Sequence, residues 1–151
     1  MSEEVRAYLP RITQFNRPFW EGLKEKVFRT TRCQDCQAVS FPPRSLCPEC
    51  FSDRYEWTRL SGEATLYSFT KHEIVPRAYI KEAPYITAMV DLSEGPRLLC
   101  RIKNAAYEDL IPGMSLGIGF GKLTGEIATF YFEPTPPTPT LPLEGGEQGR
   151  G

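Results

Sequence analysis

The 151-residue sequence has little histidine and little excess of either charge. His72 is the only histidine, which leaves few ways to build a His-dependent catalytic triad or a His-rich metal site. Lys and Arg number 18 against 19 Asp and Glu, and neither residues 1–60 (ten against eight) nor residues 61–133 (seven against nine) are strongly basic. This balance argues against binding of nucleic acid through its phosphate backbone.

Long apolar segments are also missing. No apolar run approaches the about 20 residues that a membrane helix needs. The N-terminus, Met1-Ser2-Glu3-Glu4, is acidic and has no apolar h-region, which indicates no signal peptide. We therefore expect no membrane partner and a cytoplasmic location, where thiols stay reduced and cysteine pairs commonly bind zinc.

Four of the five cysteines form two Cys-x-x-Cys pairs, Cys33/Cys36 and Cys47/Cys50, with ten residues between the pairs. Such a pair can hold a metal ion from a tight turn, because the backbone amides of the turn can point back at the sulfurs. Two pairs supply the four soft ligands that suit tetrahedral zinc, so we predict one structural Zn(II) with no open coordination position. The alternatives are two disulfides or iron in the same four-cysteine site.

An apolar helix precedes the cysteines. Asn16 is a candidate N-cap for a helix over residues 17–28, with Pro18 in its permissive first turn. Its apolar residues recur at helical spacing and form one stripe: Phe19, Trp20, Leu23 and Val27. The stripe packs either on the chain's own core or on another subunit, and we predict partner contacts through Phe19, Trp20 and Leu23.

The rest of the chain reads mainly as strands. Short strands are predicted at residues 38–41 and 55–60, followed by longer ones at residues 64–71, 85–92, 97–103, 114–120 and 127–132. A helical connection at 105–111 separates the third and fourth of the longer strands, and this order is that of an OB-fold barrel. Along the first of them, Leu66 is expected on one face and Tyr67 and Phe69 on the other.

We therefore expect a mainly β protein in four parts. These are an N-terminal helical segment (1–30), a zinc ribbon (31–60), a five-stranded OB-fold barrel (61–133) and a tail (134–151). The tail is rich in Pro, Thr and Gly and cannot bury a core, which predicts disorder.

No residue set in the sequence predicts catalysis by this chain alone. Cys100 lies on the apolar face of a predicted strand and is expected to be a buried hydrophobic residue. His72 is expected to be a solvated loop residue. The glycine-rich stretch at residues 117–121 lies within and just after a strand, which is the wrong context for a dinucleotide-binding loop.

A combination of motifs spread over about residues 15–133 resembles a known family. The motifs are Pro18-Phe19-Trp20-Glu21-Gly22-Leu23, Cys33-x-x-Cys36, Phe41-Pro42-Pro43-Arg44, Cys47-Pro48-x-Cys50, Trp57, Ser61-Gly62, Leu66-Tyr67-Ser68-Phe69-Thr70, Pro84-Tyr85, Val90-Asp91-Leu92-x-x-Gly95, Gly113-Met114 and Phe130-Tyr131-Phe132. Together they resemble the acyl-CoA-associated zinc-ribbon/OB-fold family, long known as domain-of-unknown-function family thirty-five.

The resemblance implies a helical segment, a rubredoxin-like ribbon and an OB-fold barrel. It also implies a role as the small partner of a thiolase-like enzyme, as in benzoylsuccinyl-CoA thiolase, or of an acyl-CoA hydratase; archaeal relatives bridge a thiolase and a synthase. The thiolase chemistry would belong to the large subunit, whose catalytic Cys and His have no counterpart here.

We therefore expect a non-catalytic zinc-binding subunit of an acyl-CoA-processing hetero-oligomer, in contact with acyl-CoA only indirectly. The loop from His72 to Pro84 is the longest connection of the predicted barrel, and OB-fold barrels commonly bind ligands with this loop. Arg77 and Lys81 on it are candidates for contact with CoA phosphates, or are simply solvated charges. The alternative functions are a single-stranded nucleic-acid-binding module, with Tyr67 and Phe69 as stacking platforms, and an iron redox protein.

Overall fold

An N-terminal helix leads into a three-stranded ribbon and then into a closed five-stranded barrel in the computed structural model, which describes residues 9–135. The elements are α1 (Arg17–Lys24), β1 (Arg29–Cys33), β2 (Val39–Ser40), β3 (Tyr55–Arg59), β4 (Glu63–His72), β5 (Tyr85–Leu92), β6 (Arg97–Ile102), β7 (Ser115–Lys122) and β8 (Ala128–Pro134). The predicted mainly β architecture is confirmed. Residues 136–151, on which most of the predicted disordered tail falls, lie outside the described residues.

Helix α1 ends earlier than the predicted 17–28. Lys26 adopts a left-handed conformation with φ of 62°, which stops the helix. The amide of Val27 then donates to the carbonyl of Gly22 at 2.8 Å, and that of Lys26 to the carbonyl of Leu23 at 3.1 Å. This closed turn redirects the chain into β1.

Asn16 precedes the helix, but its side chain does not cap it. Its Oδ1 accepts a hydrogen bond from the amide of Thr13 at 2.7 Å, and its Nδ2 donates to the carbonyl of Arg11 at 3.1 Å. The side chain therefore stabilises the preceding turn, which brings the chain to the helix.

The ribbon is an antiparallel sheet of order β2-β1-β3. Its central strand buries Thr30 and Thr31 almost completely. The hydroxyl of Thr30 donates to the carbonyl of Ser40, and that of Thr31 accepts a hydrogen bond from the amide of Arg44 at 2.8 Å. Both buried hydroxyls are thus satisfied, and they tie β1 to the segment that leads to the second cysteine pair.

The barrel closes in the order β4-β5-β6-β8-β7, with β7 pairing back to β4. The pairing is antiparallel except between β6 and β8, where Ile102 lies opposite Phe132. This is the predicted OB-fold arrangement. Every second residue of β5 is buried, as its sequence alternation predicts.

A β-bulge in β4 corrects one detail of the sequence prediction. The pairing with β5 shifts between Leu66, opposite Val90, and Ser68, opposite Met89, so Tyr67 has no partner. Tyr67 is 52% exposed, whereas Phe69 packs against the core. The two rings therefore do not share the solvent face that simple alternation predicted.

The loops of the barrel contain two short 3-10 helices. The predicted helical connection at 105–111 is reduced to a 3-10 turn, Tyr107–Asp109, and a second one, Arg77–Glu82, lies within the loop after β4. His72 belongs to β4 and is half-buried, with its Nε2 2.8 Å from Oγ1 of Thr87. The expectation of a solvated loop histidine was therefore wrong, because β4 continues through this position.

Five phenylalanines join the helix, the ribbon and the barrel into one core. They are Phe19 of α1, Phe28 and Phe41 of the ribbon region, and Phe130 and Phe132 of β8. The ring of Phe28 lies 5.6 Å from that of Phe41 and 5.2 Å from that of Phe130, and the rings of Phe19 and Phe41 are 5.7 Å apart. These are ordinary packing distances for aromatic pairs. The ribbon is consequently anchored on the end of the barrel.

Gly62, between ribbon and barrel, gives a stability prediction. It has φ of +85°, and a Cβ there would lie 2.5 Å from Cγ2 of Ile118; Gly113 has φ of +97° with nothing within 4 Å. We expect Gly113→Ala to lower the free energy of unfolding by about 1 kcal/mol from backbone strain alone. Gly62→Ala should lower it by about 3 kcal/mol, because overpacking adds to the strain.

Urea denaturation of the two variants checks this difference. Equal losses for Gly62→Ala and Gly113→Ala would contradict the close packing described here between the linker and β7.

Candidate metal centre

The first cysteine pair is held in a tight turn at the end of β1. The amide of Gln37 donates to the carbonyl of Cys33 at 3.0 Å, and the amide of Cys33 donates to the carbonyl of Ala38 at 2.9 Å. Gln37 has φ of 68°, in the left-handed region. The amides of Asp35 and Cys36 lie 3.3 and 3.4 Å from the Cys33 sulfur, as expected for donors to a thiolate.

The second cysteine pair repeats this geometry. The amide of Phe51 donates to the carbonyl of Cys47 at 2.9 Å, and the amide of Cys47 donates to the carbonyl of Ser52 at 2.9 Å. Phe51 has φ of 63°, and the amide of Glu49 lies 3.3 Å from the Cys47 sulfur. Two equivalent turns therefore present their sulfurs to the same point.

The four sulfurs lie within 4.8 Å of one another. Those of Cys33 and Cys50 are 3.6 Å apart, as are those of Cys36 and Cys47. Four sulfurs at about 2.3 Å from a tetrahedral zinc ion would lie about 3.8 Å from each other. The predicted set Cys33, Cys36, Cys47 and Cys50 is therefore brought together as a metal-binding site, and its geometry fits zinc.

The electrostatics of the four thiols also favour a bound cation. Hydrogen bonds from the amides of Cys36 and Asp35 lower the pKa of Cys33 to about 6. At Cys50 the amide of Ser52 works in the same direction, but the hydrogen bond with the Cys33 sulfur, desolvation and the other sulfurs outweigh it and raise the pKa to about 12. The negative charge of one thiolate thus opposes the ionisation of the neighbouring thiols. A metal ion bound between them would offset this repulsion.

Polar contacts at the surface fix the first turn against the segment between the second cysteine pair and β3. Asp35 accepts a hydrogen bond from Nη1 of Arg54 at 2.6 Å and another from the hydroxyl of Ser52. The amide of Gln34 donates to the carbonyl of Arg54 at 2.9 Å. Exposed ion pairs contribute little free energy, so their effect here is to orient the turn. No sequence motif had indicated Asp35 and Arg54 as a pair.

The structure divides the predicted partner-binding residues. Phe19 and Leu23 are buried in the chain's own core, with exposed fractions of 5% and 1%. Trp20 is half-buried, and its ring meets that of Phe19 edge to face at 5.0 Å. Of the three side chains, only Trp20 therefore keeps surface that a partner could cover.

Arg77 and Lys81 are both exposed on the 3-10 helix of the loop after β4. Residues three apart eclipse in a 3-10 helix, so these two side chains, four apart, project about 120° from one another. The loop is fastened to β6, because Nη1 of Arg101 lies 2.6 Å from Oε1 of Glu82 and its guanidinium stacks 3.6 Å from the Tyr85 ring centre. The loop is thus a fixed platform that presents two cations to separate directions.

Cys100 and His72 do not have the environment of catalytic groups. Cys100 is buried, and its burial raises the pKa of the thiol to about 12, so the thiol stays protonated at neutral pH. The Nε2 atom of His72 is engaged with the Thr87 hydroxyl. No helix within residues 9–135 is long and apolar enough to cross a membrane.

A four-cysteine ribbon joined to a closed five-stranded barrel defines the class of zinc-ribbon/OB-fold proteins. Residues 20–56 match the family model of the "ChsH2, rubredoxin-like zinc ribbon domain", and residues 57–121 match that of the "ChsH2, C-terminal OB-fold domain". The chain belongs to this family, which also carries the name DUF35. A "DUF35 domain-containing scaffold protein" of Methanocaldococcus jannaschii is 32% identical over 106 residues, covering 69% of this chain and 75% of the relative.

Relatives with more specific names are matched over a smaller part of their own length. The "Benzoylsuccinyl-CoA thiolase subunit BbsA" of Thauera aromatica is 34% identical over 74 residues, which cover 49% of this chain and 50% of the relative. A "Probable enoyl-CoA hydratase alpha subunit" of Thermomonospora curvata is 27% identical over 128 residues, covering 85% of this chain but only 40% of the relative.

A solved structure resembles the whole arrangement. The "Ltp2-ChsH2(DUF35) aldolase" superposes with a TM-score of 0.74 at 27% identity, covering 83% of this chain and 98% of the matched chain. The similarity therefore extends over both the ribbon and the barrel. Two of these relatives are named as subunits of a benzoylsuccinyl-CoA thiolase and of a probable enoyl-CoA hydratase, and the solved structure is named as an aldolase.

The metal site gives a second prediction. Structural zinc contributes on the order of 10–16 kcal/mol of apparent binding free energy in small modules. Cys33→Ser or Cys47→Ser should therefore reduce bound zinc well below one equivalent and unfold residues 30–60, as measured by elemental analysis and amide hydrogen exchange. Cys100→Ala is the matched control and should keep one equivalent of zinc. Full zinc and unchanged exchange in either Ser variant would contradict the four-cysteine site.

Proposed function

We propose that this protein is a non-catalytic, zinc-binding subunit of an acyl-CoA-processing complex, and that its partner is a thiolase-like enzyme. The observation that carries the proposal is that the ribbon and barrel recur in relatives named as subunits of acyl-CoA enzymes. Within the described residues, Cys100 and His72 lack the environment of a catalytic pair. The chemistry is therefore assigned to the partner, and cleavage of an aromatic acyl-CoA such as benzoylsuccinyl-CoA is the proposed reaction.

The proposed metal is one Zn(II) held by Cys33, Cys36, Cys47 and Cys50. When bound, the ion crosslinks the two cysteine turns and does not activate water, since four sulfurs leave no open position. The ribbon is then a rigid unit that the five phenylalanines attach to the barrel.

A hydratase is the second candidate partner, because one relative that matches 85% of this chain is named as a hydratase subunit. We also propose a cytoplasmic location for the complex.

Nucleic-acid binding is the weaker alternative for the barrel. Its proposed stacking platform required Tyr67 and Phe69 side by side, but the bulge separates them. One face of the Tyr67 ring is already covered by the Arg97 guanidinium, whose carbon lies 3.5 Å from the ring centre. That guanidinium is in turn paired with Asp91 at 2.6 Å. The Arg97 charge is already paired and the Tyr67 ring has one face occupied. Neither group is therefore well placed to bind the phosphates or the bases of a polynucleotide.

The loop of Arg77 and Lys81 is proposed to lie near the entrance to the partner's active site. A CoA substrate carries phosphates that need cations along its path. The fixed attachment of this loop to β6 through Arg101 and Glu82 supports the proposal, because a rigid loop can hold its cations at a constant position. The two side chains would then contact different phosphates, in keeping with their divergent directions.

Trp20 supplies a prediction for subunit association. Trp20→Ala should weaken binding to the large subunit by about 2 kcal/mol or more, as loss of a buried aromatic anchor does. The isolated variant should remain folded, because Trp20 is only half-buried and Phe19 and Leu23 still hold the helix. Isothermal titration calorimetry measures the association.

Glu21→Ala on the same helix is the matched control and should leave binding within about 0.5 kcal/mol of the original value, as expected of an exposed site outside the interface. A large loss of stability for Trp20→Ala with unchanged association would assign Trp20 to core packing alone.

The loop prediction is kinetic. In the reconstituted complex, Arg77→Ala combined with Lys81→Ala should raise the apparent KM for the CoA substrate by about fivefold, since each lost phosphate contact removes a modest electrostatic attraction. Subunit association should not change. Lys103→Ala, on the outer surface of the barrel, is the control. An unchanged KM across a range of salt concentrations would remove the loop from the site.

A further inference from the structure

A cavity of about 400 Å³ opens between the C-terminal turn of α1 and the β7–β8 hairpin. Its size is within the range of small-molecule sites. The inner wall is apolar and is formed by Leu23, Phe120, Ile127 and Ala128. Leu23 and Ala128 are buried, so this wall is continuous with the hydrophobic core.

The rim of this cavity is cationic. Lys24, Lys26 and Lys122 line it against a single acidic residue, Glu126. Across residues 9–135 none of these three lysines forms an ion pair or a cation–π contact, whereas Lys71 pairs with Glu73 at 3.7 Å. Within the described residues, the rim therefore carries an excess of positive charge that Glu126 offsets only in part.

Two of these lysines occupy positions that packing would not select. Lys122 is the last residue of β7 and lies opposite the buried Ala128. The alternation of inward-facing and outward-facing residues along β7 predicts an apolar side chain at this position. Lys26 stands at φ of 62°, a conformation that favours glycine. Both residues line the cavity together with its apolar wall.

The hairpin side of the cavity is preformed. Oγ1 of Thr124 accepts hydrogen bonds from the amides of Glu126 and Ile127 at 3.1 and 3.0 Å. On the helix side, the carbonyls of Gly22 and Leu23 are already occupied by the amides of Val27 and Lys26, so they are not open acceptors that would repel an anion. Both walls are thus fixed before any ligand arrives.

We propose that this cavity binds a small amphipathic anion, a carboxylate or phosphate joined to an apolar chain. The apolar part lies against Leu23, Phe120 and Ile127, and the anionic group is held by Lys26 and Lys122. This site is separate from the metal centre and from the loop of Arg77 and Lys81. It does not depend on the identity of the partner enzyme.

The test is a titration of the zinc-loaded full chain, followed by amide chemical shifts. Hexanoate and hexyl phosphate should shift the amide resonances of Gly121, Thr124 and Gly125. The ligand that binds more tightly identifies the preferred anionic group. Hexanol should bind about tenfold more weakly than the tighter anion, because it lacks the charge that the lysines recognise. Butanoate should bind more weakly than hexanoate by up to about fourfold per missing methylene.

Variants separate binding from folding. Lys122→Gln combined with Lys26→Gly should weaken the binding of the tighter anion by about tenfold, while the melting temperature stays the same or rises because glycine suits the left-handed conformation. Lys103→Gln, whose ammonium lies 5.1 Å from the Tyr131 ring centre, is the control and should bind normally. Equal affinity for hexanol and the anions, or an unchanged affinity in the double variant, would overturn the proposal.

Discussion

Four sulfur atoms take the place of a hydrophobic core in the ribbon, and the rest of the structure depends on them. Between β1 and the end of β3 the only buried residues are Thr30, Thr31, Cys33 and Cys47. Two of these are satisfied polar groups and two are metal ligands, so little apolar burial remains to order about thirty residues. A metal ion held by the four cysteines would supply the missing free energy and fix both turns at once.

The phenylalanine cluster packs the ribbon against the helix and the barrel. Phe28 and Phe41 belong to the ribbon region, yet their rings pack on Phe130 of the barrel and, for Phe41, on Phe19 of the helix. Phe41 therefore links the ribbon directly to Phe19 of the helix that carries Trp20. This continuous packing suits the proposed role as a structural subunit, because it holds the helix, the ribbon and the barrel at fixed places relative to one another.

Local patterns in the sequence predicted those features that depend on near neighbours. The Cys-x-x-Cys spacing predicted the four cysteines that the structure brings together, and the alternation of residues 85–92 matches β5 at both ends. The missed features depend on distant contacts or on unusual backbone angles. Tyr67 bulges because the register of β4 against β5 shifts between Leu66 and Ser68, and Lys26 ends the helix in a conformation rare for lysine. The cavity beside Lys122 is formed between the end of α1 and the β7–β8 hairpin, which are distant in sequence.

Above all, we propose that this chain acts as a structural subunit of an acyl-CoA enzyme. Purification of the tagged protein from its native cells, followed by mass spectrometry and zinc analysis of the intact particle, tests it most directly. We predict a hetero-oligomer that contains a thiolase-like large subunit and one zinc ion for each copy of this chain. The CoA-dependent cleavage activity should be lost when this chain is removed. A zinc-free or solitary protein, or one whose removal leaves the activity of the large subunit unchanged, would contradict it.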